Sequence, residues 1–418
     1  MSTLLFVLAV PGLMLGCFSI TSFFRLILLG RFTTDFSMVE LFGVLGVSGM
    51  FLFSCMKSSR SAIPERYLKR KVDHLQTRAN PVLLTLFSAI IIYAVMVYWM
   101  LFLDSPHGNW DAWAIWNMHA RFLFRGGEYW RDTLTNVIDW SHPDYPLLLP
   151  AVIGGCWNLL GRESTVIPAL IAMFYTFATA GILALSVACL RGKNQGLLAG
   201  IVLLGMPYFI VHGASQYADV PIGFYFLLSF ILLYMNKVTE KKKIYLVMAG
   251  MSAGFAAWTK NEGLLFLLVM VFAHFIITVT RNGLKRCLRE EVFLLGGILP
   301  VLLVVLYFKF QIAPQNDFLA GQGIQETVMR LNDFSRYFIV GRAFAGQAIF
   351  FGGGFFVALF LYLLCLGGKF DTKDQGLLIV SLILVFMVIS LFFVYITTPR
   401  NLYWHLGTSL KRLFLQLM

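Results

Sequence analysis

Long apolar runs, separated by short polar loops, set the pattern of this chain. Runs of spanning length fall at roughly 2–29, 36–56, 82–103, 164–190, 196–212, 221–236, 244–259, 263–280, 292–312, 346–366 and 376–396. Crossing the hydrocarbon of a bilayer takes about 20 apolar residues in a helix. The pattern therefore predicts an all-α polytopic membrane protein with about eleven transmembrane helices. The first run has no basic residues ahead of it and continues to about Gly30, so it reads as a spanning helix and not as a leader. The stretch 146–161 (PLLLPAVIGGCWNLLG) is too short to span and holds two prolines near its start, which predicts an interfacial or re-entrant helix. No internal repeat or low-complexity linker interrupts the pattern. One transmembrane domain is expected to take up 1–418, with two helices and a basic loop in 1–81, a core in 82–290 holding the large loop 104–145, and C-terminal helices with a tail in 291–418.

Composition agrees. Of 418 residues, 59% are hydrophobic and 13% charged, and the mean hydropathy is +0.77. Soluble chains hold about 45–50% apolar and about 25% charged residues, so the surplus here must face lipid. The formal charge of +12 does not indicate nucleic acid, because the basic residues sit in short loops and form no continuous patch. Their placement instead sets orientation. Loop 57–81 carries Lys57, Arg60, Arg66, Lys69, Arg70, Lys71 and Arg78. If that loop is cytoplasmic, alternation also makes 191–195, 237–243, 281–291 and 367–375 cytoplasmic, and each of these carries at least two Lys or Arg residues. The opposite loops hold most of the acids, among them Asp104, Asp111, Asp144, Asp219 and Glu262. Anionic lipid headgroups and anionic substrates are the partners this charge distribution favours. The six cysteines, Cys17, Cys55, Cys156, Cys189, Cys287 and Cys365, form no CxxC pair and read as buried free thiols.

Chemistry-capable residues gather on the acidic side. In loop 104–145, Trp110, Trp113 and Trp116 recur at near-helical spacing, predicting an amphipathic helix at the membrane surface. Anchoring explains these tryptophans more simply than ligand stacking. Asp111 lies inside that aromatic helix, where a carboxylate is costly without a task or a partner. Either Asp111 or Asp104, at the end of the preceding span, is a candidate general base for an acceptor hydroxyl. His107 shares this loop. His142-Pro143-Asp144-Tyr145-Pro146 leads into the short helix, with Asp144 either a cap or a substrate contact. Asp219 precedes Pro221 at the start of a span, where it suits a cap, a functional role or both. Lys260 and Glu262 share a tight turn between two spans and are either a solvated ion pair or part of a phosphate site. Arg400, His405 and Arg412, near the C-terminal end, are further phosphate-ligand candidates or anchors of an amphipathic tail. His107, His119, His142, Asp111 and Asp144 are side chains able to ligate a divalent metal, but no spacing among them is diagnostic, so the cofactor stays open and no metal ligand is assigned.

In the order of these motifs the chain resembles the GT-C superfamily of polytopic glycosyltransferases. It is most similar to the group of protein O-mannosyltransferases and lipid A aminoarabinose transferases. The resemblance rests on Asp104 and Asp111 after a span, on His142-Pro143-Asp144-Tyr145-Pro146 before a helix ending Leu160-Gly161-Arg162-Glu163, on Gln216-Tyr217-Ala218-Asp219-Val220-Pro221, and on Gly250, Gly254 and Trp258-Thr259-Lys260. It covers residues 82–290 by motif and the remainder by topology. It implies a sugar donor on a polyprenyl phosphate and a catalytic carboxylate in the first external loop, which falls on Asp111 or Asp104. Two departures stand out: Ala112 occupies the place of the second acid of the family's adjacent pair, and two helices precede the helix that normally comes first.

Together these readings predict a glycosyltransferase of the inner (plasma) membrane with its active loops outside the cytoplasm. Lys260, with Arg400 or Arg412, would neutralise the leaving lipid phosphate, and Asp111 would take a proton from the acceptor hydroxyl of a glycan, lipid or protein. A single in-line displacement would invert the anomeric centre. His107, Trp110, His142, Asp144, Tyr145, Asp219, Glu262 and His405 would line the substrate site. A transporter or flippase of lipid-linked glycans is the rival class. Transporters place ionisable groups mid-helix and show repeats, whereas the spans here are nearly free of charge apart from Arg25, Glu40 and Lys309. A polymerase or ligase of lipid-linked glycans would use the same kind of groups.

Overall fold

The structure, a computed structural model, describes residues 2–32, 43, 78–238, 243–315, 323–365 and 372–418. The predicted span 36–56 and most of the basic loop 57–81 lie outside the described residues. The described residues form helices and no strands. In chain order these are α1 (Ser2–Leu29), α2 (Pro81–Asp104), a π-turn (Ala112–Trp116) running into α3 (Asn117–Arg125), α4 (Leu148–Leu160), α5 (Val166–Arg191), α6 (Lys193–Leu204) and α7 (Pro207–Ala214). They continue with α8 (Asp219–Val238), α9 (Lys243–Thr259), α10 (Asn261–Asn282), α11 (Leu284–Gln311), α12 (Ile324–Leu331), α13 (Phe334–Phe350), α14 (Phe355–Cys365), α15 (Gln375–Thr397) and α16 (Leu402–Leu417). Two 3-10 segments, Gly127–Leu134 and Asn136–Ser141, complete the loop before α4.

Among the described residues, seven helices are long and apolar enough to cross a bilayer, and nine spans result if each of two bent pairs counts as one. The bends have physical causes. The predicted span 196–212 breaks by 63° between α6 and α7. There Met206 is extended ahead of Pro207, whose ring disfavours helix in the residue before it. The predicted run 346–366 is not one helix. It contains the end of α13 and the whole of α14, set at 81°, because Gly352, Gly353 and Gly354 take φ of 59°, 76° and 91°. Only glycine adopts that left-handed backbone readily, and hydropathy does not register it.

The short apolar stretch forms α4, whose residues from Leu148 to Gly155 are all buried. It packs against α1 and α3 inside the bundle and does not lie on its surface. Of the cysteines, Cys365 is exposed, Cys287 is buried and Cys17, Cys156 and Cys189 are partly buried, so burial does not hold for every thiol. Cys55 is outside the described residues.

Polar contacts collect at the two ends of α8, α10 and α11. At one end Lys237 pairs with Glu290 at 2.5 Å, the His274 Nδ1 meets Glu291 at 2.7 Å, Arg281 donates to the Thr372 carbonyl at 3.2 Å, and Tyr234 donates to Asp374 at 2.8 Å. Described residues of the segments that share a face by the charge rule, 237–243, 281–291 and 367–375, thus meet each other. The loops from the opposite group meet at the other end, where the candidate site lies.

Helix α9 runs through the middle with nearly every residue from Tyr245 to Thr259 buried. Its tight partner is α11, and glycines make the approach possible. A methyl group on Gly250 would run into the Leu294 carbonyl, and one on Gly297 into the Val247 carbonyl. Both obstacles are backbone and cannot rotate away. Gly250→Ala and Gly297→Ala are therefore expected to destabilise the protein by about 1–3 kcal/mol. The neighbouring Gly296→Ala, with open space around it, is expected to be neutral or slightly stabilising. Thermal melting in detergent separates the three variants.

Candidate functional site

Six segments distant in sequence converge on one buried cluster of charge. Asp111 comes from the loop before the π-turn, Asp144 and Tyr145 from the entry to α4, Asp219 from the start of α8, Lys260, Asn261 and Glu262 from the joint between α9 and α10, Lys309 from the end of α11, and Arg412 with Gln416 from α16. Arg412 and Gln416 sit one helical turn apart and so share a face of α16.

Asp219 is the hub, with no exposed surface. Its Oδ1 accepts from Lys260 at 3.2 Å and from Gln416 at 2.6 Å. Its Oδ2 accepts from Arg412 at 2.8 Å. Arg412 also pairs with Asp111, and Lys260 pairs with Glu262 at 2.8 Å. Burial works against the Lys260 ammonium, but Asp219 and Glu262 outweigh it and hold its pKa above the usual lysine value. The same balance raises Arg412, where burial is overcome by Asp219 and Asp111. Both cations are thereby fixed in their charged forms.

The loop is held against α8 by amide side chains. Asn109 Nδ2 donates to Ser215 Oγ at 2.8 Å, Asn117 Nδ2 to Gln216 Oε1 at 3.0 Å, and Gln216 Nε2 to the Pro106 carbonyl at 3.1 Å. Gln216 takes a φ of 59°, unusual for a residue with a side chain. The π-turn at Ala112–Trp116 widens the helix just after Asp111. Such insertions recur at functional sites.

A second set of contacts extends the cluster. Lys309 Nζ donates to the Asp144 carbonyl at 2.5 Å and to Asn261 Oδ1 at 2.6 Å, while Asn261 Nδ2 donates to Asp144 Oδ2 at 2.8 Å. Tyr145 stacks on Trp116, with centroids 5.7 Å apart, and on the His142 ring at 4.6 Å. Burial raises the Tyr145 hydroxyl pKa, so it stays protonated. A small cavity lined by Trp116, Asn117, Gln216, Tyr217 and Pro221 opens beside the cluster.

The candidates read from the sequence divide accordingly. Asp111, Asp144, Tyr145, Asp219, Lys260, Glu262 and Arg412 are brought together, with His142 stacked on Tyr145. For five others the described contacts run to other residues, although the Glu262 charge reaches the His405 ring. Asp104 is exposed at the end of α2. His107 is exposed, with its Nδ1 3.2 Å from the Arg121 guanidinium. Trp110 is exposed and meets Trp113 edge-on at 4.5 Å, whereas Trp116 is buried, so the three tryptophans do not share one exposed face. Arg400 lies over the Trp404 ring at 5.5 Å. His405 is buried, with its Nδ1 3.0 Å from Thr398 Oγ1 and its ring against Tyr395. Asp144 does not cap α4, which has Leu147 at its N-cap and no capping side chain. The Lys260–Glu262 pair is no solvated turn, since Lys260 is buried. The metal candidates do not converge, because Asp111 turns to Arg412, Asp144 to Lys309 and Asn261, and His119 to Ser141. Sequence reasoning missed Asn261, Gln416, Tyr217 and the role of Lys309. Of these, only Lys309 carried a signal, as a charge inside an apolar run.

Two variants separate structure from chemistry. Asp219→Asn strips a carboxylate from both cations at once and is expected to destabilise the protein by about 3–5 kcal/mol, the range for breaking a buried pair. Asp111→Asn leaves Arg412 paired with Asp219 and is expected to melt close to wild type. Differential scanning fluorimetry of the two proteins checks the contrast.

Burial also sets a pH dependence. It pushes the His119 pKa down to about 3, with His142 adding to the effect. It lowers His405 to about 4, with Arg400 adding. The unfolded chain titrates these groups near pH 6.5, so between about pH 4 and 6.5 it binds more protons than the folded one. Stability is expected to fall as pH drops through that window. His405→Asn, which keeps a hydrogen-bonding partner for Thr398, is expected to flatten the fall, as read by melting temperature from pH 7 to 4.5.

Residues 142–308 match the family model described as dolichyl-phosphate-mannose-protein mannosyltransferase. No curated protein and no solved structure matches the chain. The matched stretch holds Asp144, Asp219, Lys260 and Glu262, and leaves Asp111 and Arg412 outside it. The resemblance to the GT-C glycosyltransferases is thus carried by the helices that build most of the charge cluster, and it supports a multi-pass membrane glycosyltransferase of the GT-C type.

Proposed function

We propose that the protein transfers a sugar from a polyprenyl-phosphate donor to an acceptor hydroxyl at the extracytoplasmic face of the plasma membrane, with inversion at the anomeric carbon. The observation that supports this reading is the meeting of Asp111, Asp219, Lys260, Glu262 and Arg412 in one cluster. All five belong to loops or helix ends that the charge rule places on the non-cytoplasmic side.

The contacts support the following chemistry. The acceptor oxygen attacks the anomeric carbon and forms the new glycosidic bond. The bond from that carbon to the donor phosphate oxygen breaks, and polyprenyl phosphate leaves with the electron pair. The acceptor proton passes to the Asp111 carboxylate. Arg412 and Lys260 lie where the charge on the leaving phosphate develops, and cations fixed in advance stabilise that charge best. In the absence of donor, Arg412 is held by two carboxylates. An arriving phosphate competes with Asp111 for the guanidinium, so donor binding releases the base it will use. Asp219, shared by both cations and sealed from water, positions them.

Asp111→Asn is expected to lower transfer by about 10²–10⁴-fold, the usual size of a general-base contribution. The check is radiolabelled sugar transfer by purified protein across a panel of polyprenyl-phosphate sugars. Full activity in the variant would remove Asp111 from the reaction, and no transfer by the wild type with any donor in the panel would count against the reading as a whole.

A further inference from the structure

Each cation inside the cluster is already engaged by a carboxylate: Lys260 by Asp219 and Glu262, Arg412 by Asp111 and Asp219, and Lys309 by Asp144. Four carboxylates face three cations, so a phosphate entering directly would meet net negative charge. The first contact of an anionic headgroup requires a cation without a carboxylate partner. Lys411 is such a cation. It neighbours Arg412 in sequence, is exposed on α16, and forms no ion pair among the described residues. Its ammonium sits 4.0 Å from the centroid of the Tyr208 ring, at the start of α7. Tyr208 in turn packs on His212, with ring centroids 3.9 Å apart, His212 meets the Tyr217 ring at 5.4 Å, and Arg412 lies over that ring at 4.9 Å. The Lys411 site is therefore an antechamber to the cluster.

The surroundings suit a lipid. Trp404, Gly407, Thr408 and Lys411 recur at i, i+3, i+4 and i+7 and form one exposed face of α16. Apolar side chains beside this face and at the end of α13 are also exposed, Tyr403 by 70% and Phe350 by 77%. In a membrane-spanning protein such a surface faces acyl or prenyl chains. An ammonium at its edge, supported by an aromatic ring, matches a phosphate carried on a lipid tail.

We propose that Lys411, seated on Tyr208 between α7 and α16, binds the phosphate of the lipid-linked donor before Arg412 and Lys260 act on it. The assignment rests on the glycosyl-transfer reading above. The test is binding to purified, detergent-solubilised protein by native mass spectrometry, with polyprenyl phosphate, the corresponding polyprenol and inorganic phosphate as separate probes. Wild type is expected to bind polyprenyl phosphate saturably, while polyprenol and inorganic phosphate compete poorly. Lys411→Gln is expected to weaken that binding about tenfold, the loss of roughly one charge-assisted contact, with Lys411→Arg retaining most of it. Tyr208→Leu, which keeps the charge but removes its support, is expected to weaken binding in the same direction and gives an independent reading should Lys411→Gln fold poorly. Wild-type affinity in Lys411→Gln would overturn the assignment and leave the glycosyl-transfer reading standing. Inorganic phosphate competing as well as the lipid would overturn the lipid-headgroup assignment. Failure of the wild type to bind polyprenyl phosphate would overturn both.

Discussion

A carboxylate sealed from water has to be met by positive charge, and Asp219 is met twice. Lys260 reaches it from the joint between α9 and α10, and Arg412 reaches it from α16. Without those partners an ionised group at that depth would cost several kcal/mol. The requirement ties together three parts of the chain that have no other reason to share one point. It also explains why the α9–α10 joint holds a lysine, where a small polar turn would be expected. Asp111 is a second tenant of the same guanidinium, so its position follows from the hub while the hub does not depend on it. That asymmetry leaves Asp111 with one of the two cations that Asp219 engages.

The amide clamps around the loop extend this logic. Asn109, Asn117 and Gln216 hold the backbone between Pro106 and Asn117 against the entry to α8. A carboxylate on a free loop would sample many positions. On this loop it is delivered to Arg412 by hydrogen bonds made elsewhere, and the π-turn after it absorbs the extra residue that the fit requires. Preorganisation of this kind fixes the Asp111 carboxylate in one place before any ligand arrives.

Much of this was legible in the sequence, and for a common reason. In a chain so poor in charge, each ionisable residue near an apolar run is conspicuous, which is how Asp111, Asp144, Asp219, Lys260, Glu262 and Arg412 were found. Neutral polar residues carry no such contrast, so Asn261 and Gln416 passed unnoticed although both complete the hydrogen bonding of the cluster. His405 carries the same contrast, while its described partners are Thr398 and Tyr395. A histidine that closes a contact between α15 and α16 looks, in sequence, the same as one aimed at a ligand. The spans were legible from hydropathy, yet the three consecutive glycines between α13 and α14 were not read as a bend, because hydropathy measures side chains and the bend belongs to the backbone.

Helix α8 is pinned at both extremities. Asp219 is fixed to Lys260 and Arg412, and Lys237 is fixed to Glu290 and Thr278. The stretch between these anchors rises roughly 27 Å at about 1.5 Å per residue, close to the hydrocarbon thickness of a bilayer, about 30 Å. A helix fastened by one end can tilt to suit a thinner or thicker membrane, whereas one fastened by both ends leaves the adjustment to the lipid. The two charged anchors of α8 are therefore spaced to suit the hydrocarbon of an ordinary bilayer.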